Sequence, residues 1–123
     1  MSVLVVDDDE AFRGALTACL RDDGYGVMDF SGVHELPPLP TVGEVAAVVT
    51  DYDMAGTDGL TFADMFHAAR PETPIIMVTD YSTPQLEADI ATRNFLSVLR
   101  KPFDYDELHS RLGELVPPSD GAR

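Results

Sequence analysis

Short apolar runs alternate with amphipathic stretches along the whole chain, and this alternation restricts the fold more than any other feature of the sequence. A brief apolar run bounded by turn residues reads as a buried strand; apolar residues spaced three and four apart read as a helix. Val3 to Val6 predicts a first strand, Gly26 to Phe30 a second, Val45 to Thr50 a third, Ile75 to Val78 a fourth and Ser97 to Arg100 a fifth. Three of these are rich in Val and Ile, as parallel strands covered on both faces are. Between the first two strands, Glu10 to Arg21 carries Phe12, Ala15, Leu16, Cys19 and Leu20 at helical spacing and stops at Asp22, Asp23 and Gly24. Leu60 to Ala69 makes a helix closed by Arg70 and Pro71. Thr83 to Ala91 makes another, with Thr83 as N-cap, Pro84 at the first helical position, and Leu86 and Ile90 facing inward. Asp104 to Leu115 is the last helix, opened by a capping box of Asp104 and Glu107.

Five strands joined by helical crossovers predict an α/β fold with a doubly wound parallel sheet. One crossover breaks the pattern. Pro37, Pro38 and Pro40 each lack a backbone donor and resist a helix interior, so the second helix is expected to be shortened or lost. A chain of 123 residues encloses one core, assigned to residues 1–116. The polar segment 117–123, with two prolines and a glycine, reads as a flexible tail or the start of a linker.

Charge limits the partners. Eight Lys and Arg against 22 Asp and Glu give a net charge of −14, which repels nucleic-acid phosphates and anionic lipid. Direct DNA binding by this domain is therefore not expected. No apolar run reaches membrane-spanning length, and Met1 leads into Val3 to Val6 without a basic flank, so no secretory or transit signal is read and a cytoplasmic address is expected. Cys19, the single cysteine, is expected to be a buried, inert thiol on the apolar side of its helix. His34, His67 and His109 lack the spacing of a metal site.

In a doubly wound sheet, ligands settle outside the carboxyl ends of the strands. Asp7, Asp8 and Asp9 follow the first strand, Asp51 the third, Thr79 the fourth and Lys101 the fifth. All are expected on one rim. Carboxylates crowded there repel by about 4 kcal/mol per close pair at an effective dielectric of 20, and need a counter-charge or a proton. Mg²⁺ suits an all-oxygen pocket without thiol or imidazole, and with it a carboxylate such as Asp51 can act as nucleophile toward phosphorus. Thr79 then offers a hydroxyl and Lys101 a positive charge to the phosphoryl oxygens.

Four segments resemble the receiver domains of bacterial two-component response regulators: Val5-Val6-Asp7-Asp8-Asp9-Glu10, residues Thr50 to Gly59, Ile75-Ile76-Met77-Val78-Thr79, and Lys101-Pro102-Phe103. The resemblance spans nearly the whole chain. It implies a flavodoxin-like strand order of 2-1-3-4-5, with Asp51 as phosphoacceptor and Asp7 and Asp8 as the acid pair. It also implies Mg²⁺ held by the carboxylates of Asp8 and Asp51 and the backbone carbonyl of Asp53, with Asp7 acting through water. Further implications are a cis peptide between Lys101 and Pro102, phosphoryl supply from a sensor histidine kinase, a histidine phosphotransfer protein or small donors, and self-dephosphorylation. Output is expected through the face of the fourth helix, fifth strand and fifth helix, toward a second copy or an output domain.

This chain departs from that family pattern at several positions. Val98 stands where Tyr or Phe usually reports phosphorylation, and Asp80 adds bulk and negative charge where a small residue is usual, which predicts slower phosphorylation. Ala55 replaces a proline, and Asn94 replaces a glycine while tolerating a left-handed backbone. Asp53 and Tyr81 flank the expected path of attack and are expected to influence hydrolysis. Two other readings remain: a receiver-fold interaction module without regulated phosphorylation, and a phosphatase of the haloacid dehalogenase type using Asp51 and Asp53. In the latter family the nucleophile follows the first strand, whereas here the acidic pair comes first.

Overall fold

The computed structural model describes residues 2–54 and 56–116; the expected tail over 117–123, and Ala55, lie outside the described residues. Strands β1 (Ser2–Val6), β2 (Gly26–Phe30), β3 (Val45–Asp51), β4 (Ile75–Thr79) and β5 (Leu96–Arg100) form one parallel sheet in the order β2-β1-β3-β4-β5. Four helices pack on it: α1 (Glu10–Asp22), α2 (Gly59–Ala69), α3 (Pro84–Ala91) and α4 (Tyr105–Leu115). This is the doubly wound sheet that the residue pattern predicts, in the flavodoxin-like order that the resemblance implies. None of the described helices is long and apolar enough to cross a membrane.

Alternation along the strands divides the core. Val3, Val5, Val49, Ile76 and Val78 meet Leu16 and Leu20 of α1 and Leu108 and Leu112 of α4. Leu4, Val6, Val48 and Ile75 meet Phe62, Ala63 and Phe66 of α2 on the other face. β1 has no exposed residue from Val3 to Val6. With each large side chain contributing about 1.5–3 kcal/mol on burial, register slippage of this central strand would move both layers into the wrong faces.

The helix ends follow local chemistry. Thr83 caps α3 by accepting from the Leu86 N–H at 3.1 Å, with Pro84 opening the helix as expected. At α4 the capping box forms, Glu107 accepting from the Asp104 N–H at 3.2 Å. The Asp23 carboxylate then fastens α4 to the end of α1, meeting the Tyr105 hydroxyl at 2.7 Å and His109 Nδ1 at 2.8 Å. Leu86 is buried and Ile90 half-buried, in keeping with their inward assignment.

Three expectations need correction or refinement. Cys19 is half-buried rather than buried, and Ala15 is exposed; the buried line of α1 runs through Leu16, Thr17 and Leu20, leaving Ala15 and Cys19 at its rim. Asn94 makes no use of its left-handed tolerance, since no described residue other than glycine has a positive φ. The proline-rich crossover holds no α-helix but two 3₁₀ turns, Val33–Glu35 and Leu39–Thr41.

Without a helix, carbonyls of that crossover need donors from elsewhere. Arg70, at the end of α2, supplies them: its guanidinium donates to the carbonyls of Gly43 at 2.7 Å, Val42 at 3.1 Å and Leu39 at 3.2 Å. Arg70→Ala is expected to lower stability by about 1–2 kcal/mol in urea denaturation. Lysine should not restore it, because an ammonium cannot span three carbonyls as the planar fork does.

Candidate functional site

The strand order decides what meets at the rim. Between β1 and β3 the winding of the sheet reverses, and Val6 pairs with Thr50 in register. The next residue on each strand is an aspartate, so Asp7 and Asp51 leave the sheet side by side, at about the 5 Å spacing of neighbouring strands. Oxygens of Asp7, Asp8 and Asp51 lie within 4.8 Å of one another.

Three successive aspartates do different work here. Asp9 caps α1 by accepting from the Phe12 N–H at 3.1 Å. Asp7 turns inward; its Oδ1 accepts from the Asp9 N–H at 2.9 Å, while its buried Oδ2 has no hydrogen-bond partner among the described residues. Asp8 is exposed at the mouth of the cluster. Arg13, one turn after Asp9, donates to the Asp7 carbonyl at 2.7 Å and reaches Asp29 on β2 at 3.2 Å, fixing the turn that carries all three.

Lys101 supplies the counter-charge. Its Nζ lies 3.4 Å from Asp51 Oδ1 and 3.8 Å from Asp7 Oδ2. The bond between Lys101 and Pro102 is cis, as the resemblance implies. One ammonium does not neutralise three carboxylates. Burial, with the neighbouring Asp51 and Asp8 charges, pushes Asp7 up to about 6 against the lowering effects of the Asp9 amide and Lys101. Burial also raises Asp51, opposed by Lys101 and the Asp53 and Tyr52 amides. An orphaned buried oxygen among all-oxygen donors is a donor set that a hard divalent cation fits.

Thr79 ends β4 one residue beyond Val78, the register partner of Asp51. It is buried, its carbonyl accepting from the Lys101 N–H at 2.9 Å and its Oγ1 from the Tyr81 N–H at 2.9 Å. The Asp53 carboxylate stands outside the acidic cluster and meets the Tyr81 hydroxyl at 3.5 Å. The Tyr81 ring in turn packs edge-on to Tyr52 at 5.5 Å. Asp80 lines a cleft with Phe12, Lys101, Pro102 and Phe103. Val98 is half-buried against Leu60, Met77 and Leu86.

Sequence reasoning missed two supports of the site. Arg13 was readable only as a base four residues after a cap. Gly59 was visible as a poor helix former at the first turn of α2, a choice that costs up to about 1 kcal/mol unless space demands it. Here it does: a Cβ on Gly59 would stand 2.1 Å from the Asp51 carbonyl oxygen. The Gly59 N–H donates to the Tyr52 carbonyl at 2.8 Å, closing the loop that presents Asp51.

Gly59→Ala is accordingly expected to destabilise by about 2–4 kcal/mol in denaturant titration, despite alanine's better helix propensity. A second expectation concerns pH. Asp7 has a folded-state pKa raised from 3.8 to about 6, so its favourable protonated contribution is complete below pH 4 and is lost as pH rises through 6. In chelator, Asp7→Asn should gain stability over the parent by about 2–3 kcal/mol at pH 7.5, and far less at pH 4.

Comparison with known proteins identifies the family. The model of the response regulator receiver domain matches residues 3–113. The transcriptional regulatory protein FixJ of Bradyrhizobium diazoefficiens is 28% identical over 98% of this chain and 58% of its own length. ZraR of Salmonella typhimurium is 32% identical over 91% of this chain and 25% of its own length. The chain thus spans only part of these regulators. In structure, the Vibrio cholerae chemotaxis protein CheY4 superposes with a TM-score of 0.81 at 24% identity, covering 94% of this chain and 98% of that one. Four sequence segments, the 2-1-3-4-5 sheet and a match over residues 3–113 agree: this chain belongs to the response regulator receiver domain family.

Proposed function

We propose that this chain is a Mg²⁺-dependent phosphorylation switch, with Asp51 as the phosphoacceptor, in two-component signalling in the cytoplasm. The observation that carries this reading is the meeting of Asp51, Asp7 and Asp8 within 4.8 Å, with Lys101 at 3.4 Å from Asp51. Residues 1–116 form the receiver domain on this reading, with 117–123 following it.

Asp7, Asp8 and Asp51, with the Asp53 carbonyl, would hold Mg²⁺, Asp7 acting through water. Bound there, the ion neutralises carboxylate and phosphoryl charge together. An Asp51 oxygen attacks the phosphorus of a phosphohistidine or acyl phosphate donor. The bond from phosphorus to the donor breaks, its electron pair leaves with the donor nitrogen or oxygen, and an aspartyl phosphate remains. Lys101 transfers its attraction from the Asp51 carboxylate to the phosphoryl oxygens, and Thr79 donates its hydroxyl to them. Attack of water on phosphorus later breaks the bond to Asp51, restores the carboxylate and releases orthophosphate.

The partner supplying phosphoryl is a sensor histidine kinase or a histidine phosphotransfer protein. Val98 carries no hydroxyl and no large ring, so the outward signal depends on Thr79 and the loop Asp80 to Thr83. Two observations support this route: Thr79 holds the Tyr81 amide, and Arg100 grips both the Tyr81 carbonyl and Glu87 of α3. The signal leaves through the face of α3, β5 and α4, the fourth helix, fifth strand and fifth helix of the family's scheme. A second copy or an output domain reads it there.

Incubating the full chain with Mg²⁺ and an acyl phosphate, followed by intact-mass and peptide analysis, tests the proposal. One phosphoryl group per chain is expected, on Asp51. Asp51→Asn should take none, Lys101→Ala should react at least about tenfold more slowly, and chelator should stop the reaction. Equal labelling of Asp51→Asn would exclude Asp51. A parent chain that takes no label would favour the interaction-module reading to which Val98 and Asp80 point.

A further inference from the structure

We propose that Phe12 is a positioning residue for Lys101, its ring face holding the ammonium at the mouth of the acid pocket; the inference rests on the phosphoacceptor reading above. Lys101 Nζ lies 4.6 Å from the centroid of the Phe12 ring. The ring itself is fixed. Its backbone N–H is held by the cap residue Asp9, and Phe103, two residues after Lys101, meets it edge-on at 6.0 Å and 85°. Phe12, Phe103 and Lys101 also line one cleft together with Asp80 and Pro102.

The ring differs in kind from the other two anchors of this ammonium. Asp51 and Asp7 attract it as full charges, at 3.4 and 3.8 Å. Both attractions change when Asp51 becomes an anhydride and cations enter the pocket. The ring face does not change. Its quadrupole attracts the cation without adding an anion that competes with the phosphoryl group, and it limits the rotamers of a long, flexible stem. Lys101 can therefore pivot from carboxylate to phosphoryl oxygen while staying over Phe12. The ring acts on transfer to Asp51 rather than on the affinity of the acidic cluster for metal.

Phe12 also packs against the core, so truncation to alanine would mix folding with positioning. Phenylalanine analogues carrying one, two and three ring fluorines keep the shape and weaken the ring face stepwise. With Mg²⁺ and saturating acyl phosphate, the rate of Asp51 labelling should fall with each fluorine, to about 5-fold below the parent at three. Phe12→Leu should show a similar loss and Phe12→Trp should recover the parent rate, with Mg²⁺ affinity unchanged across the series. A flat rate across the fluorinated series, while the parent labels normally, overturns the positioning role alone. A parent that takes no label overturns the phosphoacceptor reading. Independently of labelling, the Lys101 Hε protons of the metal-free protein should be shifted upfield by the ring and return toward ordinary values in Phe12→Leu. Ordinary Hε shifts in the parent would overturn the placement of the ammonium over the ring.

Discussion

Repulsion among the carboxylates of Asp7, Asp8 and Asp51 is the interaction on which the site depends. The fold creates it: the in-register pair Val6 and Thr50 sends the next residue of each strand into the same space. A protein selected for stability alone would not bury an oxygen without a hydrogen bond beside two like charges. Asp7 Oδ2 is such an oxygen, and burial, together with the Asp51 and Asp8 charges, raises the affinity of Asp7 for a proton. That crowding makes the pocket receptive to positive charge, part of which Lys101 supplies.

The surroundings are organised to keep those groups from relaxing apart. Arg13 holds the Asp7 carbonyl and ties the β1–α1 turn to β2. Gly59 lets α2 press against the Asp51 backbone, and its amide closes the intervening loop. Lys101 is linked to β4 through the Thr79 carbonyl, and Thr79 through its hydroxyl oxygen to Tyr81. Movement of Thr79 would thus pull on a loop whose far side is gripped by Arg100. Val98 packs beside Met77 and Leu86, and the hydrogen bonds of Thr79, Tyr81, Arg100 and Glu87 form a continuous connection from β4 to α3.

Much of this was legible in the sequence because it is local or periodic. Strand runs such as Ile75 to Val78, the Thr83-Pro84 start of α3 and the Asp104 and Glu107 box follow from propensity and capping, and each lies within a residue or two of its expected place. The acidic cluster was legible because strand ends share a rim. What escaped was contact between residues distant in sequence. Nothing near Arg70 announces that it serves carbonyls of residues 39–43, and nothing near Phe12 announces Lys101. Cys19 was misjudged because a helical stripe has a rim as well as a centre, and periodicity alone does not separate them.

An amide NMR titration of the full chain with Mg²⁺ and beryllofluoride probes the acid pocket itself, since the mimic occupies the phosphoryl position without a donor or turnover. Saturable shifts centred on Asp8, Asp51, Thr79, Tyr81 and Lys101 are expected, all reversed by chelating the metal. A spectrum unchanged at saturating mimic, or changes that persist in Asp51→Asn, would contradict it.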